Sequence, residues 1–93
     1  MVFSTPDAVD ILGLDSDSYL IDSLVVPLVE SLPSQIEKTT GLTIEEQEKE
    51  PLVFTLSSFL IQLWFNAEET QSYRLQRVID SLTATIKHNR DTQ

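Results

Sequence analysis

The chain contains no cysteine. That excludes a disulfide framework, a thiolate zinc site and a thiol nucleophile. Its single histidine, His88, has no second imidazole or thiolate with which to complete a metal site or a catalytic triad. With two glycines in 93 residues, no phosphate-cradling loop and no dinucleotide fingerprint is present, and no metalloprotease motif either. There is no alternating apolar run and no Asn-Gly or Asp-Gly turn, so strand signals are missing. The N-terminus lacks a basic region followed by an apolar run, and no secretory leader is expected. The longest apolar stretch follows Pro51 for about 15 residues and carries Ser57, Ser58 and Gln62, whereas a membrane span needs about 20. It reads as a buried helix, with no membrane partner. These absences point away from an enzyme, and no cofactor is expected.

Basic residues are also scarce: six Lys and Arg stand against fifteen Asp and Glu, a net charge of −9. The distribution is uneven. Residues 1–50 hold eleven acids and two lysines, which gives −9, while residues 51–93 hold four acids and four bases, which gives zero. Tight nucleic-acid binding works by neutralising phosphates with Lys and Arg. This surface is suited at most to letting DNA pass without adhering.

What is present is helical punctuation. Thr5-Pro6-Asp7 reads as a helix start, with Thr5 as cap and Asp7 complementing the dipole, and Gly13 stops that short helix. Asp15-Ser16-Asp17-Ser18 offers caps for a second helix over about 16–40. Leu20, Ile21, Leu24, Val25, Leu28, Val29, Leu32 and Ile36 follow at spacings of three and four, a wide amphipathic stripe. Pro27 should kink this helix, and Pro33 should kink or restart it. Gly41 ends it. Residues 43–50 read as an acidic loop in which Ile44 could seed a helical turn. A helix from Pro51 to about Glu69 follows, then a break at 70–72. A last amphipathic helix from about Ser72 to His88 carries Leu75, Val78, Ile79, Leu82 and Ile86. The expectation is one all-α domain over 1–93, a small bundle of about four helices around a central apolar helix.

That central helix is the most informative element. Leu52, Phe59 and Leu63 lie on one side, Leu56, Leu60 and Phe65 on others, and Val53, Phe54, Ile61 and Trp64 fill the rest. A helix apolar nearly all round must be covered on nearly all sides. A chain this short has few elements to do so, and other copies of the chain are the expected cover. The candidate interface residues are therefore Phe59, Leu63, Trp64 and Phe65. Arg74, Arg77, Lys87 and Arg90 join them as a basic side able to meet acidic surface on a neighbour.

Other side chains have plainer readings. His88 reads as a surface residue near a helix end. Ser57 and Ser58 have no base at usable spacing and read as small residues permitting close helix approach. Asp15 and Asp17 begin like a calcium loop but lack its later ligands. Glu45, Glu46, Glu48 and Glu50 read as a solvated charge run, with weak cation binding as the alternative. Trp64 and Phe65 read as core or interface rather than as a stacking platform for a ligand.

The order of features resembles the small head–tail connector proteins of long-tailed bacteriophages, also called head-completion or adaptor proteins. The resemblance runs over roughly residues 5–86. Its parts are Thr5-Pro6-Asp7-Ala8 with Leu12-Gly13-Leu14-Asp15, and Ile36-Glu37-Lys38-Thr39-Thr40-Gly41. Pro51 follows, then an apolar helix ending Leu63-Trp64-Phe65-Asn66, and a final amphipathic helix. Family members often carry a longer segment where this chain has 43–50. The resemblance implies a structural virion protein at the head–tail junction. Subunits would form a ring, twelve-fold in expectation, between the portal protein and the next tail-completion or stopper protein, with DNA passing through the channel. The competing readings are a small helical regulatory or interaction module acting as a dimer, and an enzyme subunit with a carboxylate site in 45–50.

Overall fold

The structure, a computed structural model, describes residues 2–66 and 68–91. Among the described residues it is all-α: α1 Thr5–Leu12, α2 Val26–Thr40 entered through a π-helical turn at Ile21–Val25, α3 Ile44–Lys49, α4 Leu52–Asn66 and α5 Glu69–Asp91. The expected continuation of the central helix through Ala67 lies outside the described residues. The last helix is longer than expected at both ends, beginning at Glu69 rather than Ser72 and running to Asp91 rather than His88.

Local chemistry accounts for the boundaries. Ser4, not Thr5, caps α1. Asp7 N–H donates to Ser4 Oγ at 3.4 Å, and Ser4 N–H returns a bond to Asp7 Oδ2 at 3.0 Å, a reciprocal capping box. Gly13 and Gly41 close α1 and α2 in the left-handed conformation, φ 69° and 81°, which costs glycine nothing. The second helix starts later than expected. Residues 16–17 turn, Leu20 N–H donates to Ser18 Oγ at 3.3 Å, and helical conformation begins at residue 19.

The two prolines act differently. Pro27 has no N–H, and its ring presses toward the carbonyl of Ser23 four residues back. The chain widens just ahead of it into the π turn, closed by Val26 N–H donating to the carbonyl of Ile21. Pro33 neither restarts nor ends α2, which continues from Val26 to Thr40 through it. Instead, the Pro33 carbonyl accepts a 2.9 Å hydrogen bond from Gln47 Nε2, which also donates to the Leu42 carbonyl at 3.2 Å.

Gln47 belongs to the segment expected to be a loop. Residues 44–49 are α3, begun by a second capping box: Glu46 N–H donates to Thr43 Oγ1 at 3.2 Å and Thr43 N–H to Glu46 Oε1 at 3.0 Å. The Thr43 backbone N–H, and then its hydroxyl, hold the Glu46 carboxyl below its ordinary value of 4.5. A depressed carboxylate stabilises the fold above its unfolded value and loses that contribution as pH falls through the folded one. Glu46→Gln should therefore be less stable than wild type near neutral pH, by a margin that narrows at acid pH as the Glu46 carboxylate takes up its proton. Thermal melts of the two proteins at neutral and acid pH check this.

The core gathers Phe3, Ala8, Val25, Val29, Leu32, Ile36, Leu42, Val53, Leu56, Leu60, Ile61, Ile79 and Ile86. The central helix α4 packs mainly on α5, with α1 and α2 on other sides. The whole measures 43 × 30 × 17 Å. Helix axes pack about 8–10 Å apart, so a 17 Å slab is two helices thick. Such a slab cannot sandwich its apolar helix completely.

Candidate functional site

The consequence of that geometry is an apolar surface in and around α4. Val53, Leu56, Ser57, Leu60 and Ile61 are buried, whereas Phe59, Leu63, Trp64 and Phe65 are only partly covered while packing against the core. Phe54 is 41% exposed, its ring tilted at 53° against Phe3 with centroids 5.3 Å apart. On α5, Tyr73 is 68% exposed and Val78 39% exposed. Partial burial of large aromatics with a dry side and a wet side is the profile of interface anchors.

The four bases of α5 divide into two pairs by position along the helix. Arg74 and Arg77 lie one turn apart near its start and line a shallow depression of about 400 Å³ with Val78 and Ser81. The Arg77 guanidinium lies 5.9 Å over the Tyr73 ring, a cation–π contact that restrains it. Lys87 and Arg90 belong to the far end. There Arg90 is engaged within the chain: Nη1 donates to the Gly41 carbonyl at 3.4 Å and Nη2 pairs with Asp91 Oδ1 at 3.1 Å. Its side chain also fills the space a Cβ at position 41 would need. With Leu42, Glu46, Lys49 and Glu50, Arg90 borders a cavity of about 70 Å³. The structure therefore brings Arg74 and Arg77 together and gives Arg90 a role in holding α5 to the turn before α3.

The remaining candidates fall as follows. His88 is exposed in the last turn of α5, and Ser57 is buried. Ser58 accepts a 3.3 Å hydrogen bond from Gln62 Nε2. Glu46 is committed to the capping box, and among the described residues no group of three His, Asp or Glu could hold a metal ion. No helix of the described residues is long and apolar enough to cross a membrane. No family model, curated protein or solved structure matches this chain.

Two features of the surface escaped the sequence reading. The segment 44–49 is helical, so Ile44, 56% exposed, stands on a defined face beside exposed Glu45 and Glu48. The signal was available: Thr43 followed three residues later by Glu46 is a capping-box spacing. The second is the exposed ring of Tyr73, just past the expected break at 70–72, which α5 runs straight through.

Proposed function

We propose that this protein is a structural assembly component: a head–tail connector of a long-tailed bacteriophage. Its subunits associate into a ring between the portal and the next tail-completion protein. The observation that carries the proposal is the incompletely covered apolar helix α4 in a slab 17 Å thick, with Phe59, Leu63, Trp64 and Phe65 partly exposed along it. Neighbouring copies would complete the burial that one chain leaves unfinished, each large side chain contributing up to about 1.5–3 kcal/mol. The sequence resemblance over residues 5–86, together with the succession of a short capped helix, a long proline-bearing helix, an apolar helix and a final amphipathic helix, supports the connector reading. A net charge of −9 suits a channel through which DNA slides without sticking. Twelve subunits is the number the resemblance implies.

The asymmetry of charge adds a testable property. Contacts between an acidic first half and the basic residues of α5 weaken as salt screens them, over about 10 Å at 0.1 M. Light scattering should report assembly that falls from low to high ionic strength. Assembly indifferent to salt would mean that the apolar contacts act alone.

A further inference from the structure

Arg74, Arg77, Val78 and Ser81 follow one another at helical spacing, so the shallow depression they line is a single stripe along α5. All four side chains are exposed. Among the described residues neither guanidinium forms an ion pair, the one found there being Arg90 with Asp91. Asp80, three residues beyond Arg77, is held instead by Gln76 Nε2 at 2.9 Å. Two unpaired positive charges therefore flank a strip of apolar and small side chains, on a chain whose net charge is −9. The chemistry that fits this stripe is an acidic segment carrying an exposed apolar side chain.

The chain itself supplies such a segment. Several acids of its first half are already engaged: Asp7 and Glu46 in the capping boxes, and Glu50 accepting from Leu52 N–H at 3.2 Å. The acids of the turn and helix start at 15–22 are not. The carboxylates of Asp15, Asp17 and Asp22 are exposed and make no hydrogen bond or ion pair among the described residues. Between them stands Tyr19, at 81% the most exposed large hydrophobic side chain of the described residues. Tyr19 begins the helical stretch, and Asp22 three residues on shares its face. A ring so exposed is not seated in the depression of its own copy.

We infer that the Arg74/Arg77/Val78/Ser81 stripe of one copy receives the Asp17–Tyr19–Asp22 face of a second copy. The Tyr19 ring packs on Val78 and over the small Ser81, and the two carboxylates face the two guanidiniums. The ring supplies burial, and the charges around it set orientation and disfavour other registers. Because the two surfaces differ, the contact is heterologous. Repeated, it closes into a ring or runs on as a filament, according to the rotation between neighbours. This inference rests on the self-assembly proposed above and adds which surfaces meet.

Charge reversal tests it. Arg74→Glu/Arg77→Glu makes both surfaces acidic, and Asp17→Lys/Asp22→Lys makes both basic. In sedimentation each variant alone should associate roughly tenfold or more weakly than wild type, with helical circular dichroism retained. An equimolar mixture should recover association, because each variant's segment then matches the other's stripe. If both variants keep their helical signal and either associates like wild type, or the mixture does not recover, the pairing is wrong while self-assembly stands. Tyr19→Ala removes a side chain that the isolated fold leaves exposed, so it decides the matter if a charge variant fails to fold. It should weaken association at wild-type thermal stability, and unchanged association would overturn the pairing. If wild type itself is monomeric under the same conditions, the self-assembly reading falls and this pairing falls with it.

Discussion

Leu56→Ala is expected to destabilise the fold by about 2–5 kcal/mol, the range for emptying a fully buried leucine site. Leu56 has no exposed surface and sits in the middle of α4, the helix against which α5, α1 and α2 all pack. A domain of this size has total stability on the order of 5–15 kcal/mol. The substitution should therefore remove a large share of it, lowering the urea midpoint followed by circular dichroism. Leu56→Met, which conserves volume, should cost less than about 1.5 kcal/mol. An alanine variant with an unmoved midpoint would mean that α4 is not the centre of the core.

Trp64→Ala is expected to act on both stability and association. The indole packs against the core yet remains partly exposed. Its truncation should thus cost the isolated fold less than the 3–5 kcal/mol of a fully buried tryptophan, about 1–3 kcal/mol by the area removed from water. Self-association should fall by at least tenfold, about 1.4 kcal/mol or more, since aromatic anchors dominate interface energetics. Thermal melts and sedimentation on the same samples separate the two effects. Loss of stability with unchanged association would make Trp64 purely a core residue. Loss of association at nearly wild-type stability would place most of its energy between copies.

The fold was legible where one physical signal dominated. The period of apolar residues in 20–36 and 75–86, the largely apolar run of 52–65 and the two stop glycines at positions 13 and 41 set the class, the order of the four main helices and the ends of α1 and α2. It was less legible where two signals competed. In 43–50, four glutamates suggested solvated loop, yet Glu46 serves the capping box and Gln47 is buried to satisfy the carbonyl of Pro33. That carbonyl lies fourteen residues away in sequence, and no local pattern announces such a tertiary hydrogen bond. Pro33 suggested a kink or a restart, and α2 runs through it without restarting, because surrounding burial outweighs one missing backbone bond. Phe3, outside any helix, was invisible to periodicity and is among the most deeply buried side chains. Of the candidate interface, the partial exposure of Phe59, Leu63, Trp64 and Phe65 follows from too many apolar faces for too few helices. The grouping of Arg74 with Arg77, and the diversion of Arg90 to Gly41, depend on where α5 ends against the turn before α3.

Self-association of the wild-type chain is the claim on which the rest depends, and sedimentation velocity at low ionic strength tests it most directly. The account predicts a species much larger than a monomer, of fixed size over a range of concentrations as a closed ring requires, and its dissociation as salt is raised. A monomer at every concentration, alone and mixed with the portal, would contradict it, and a stable dimer of two subunits would favour a small interaction module instead.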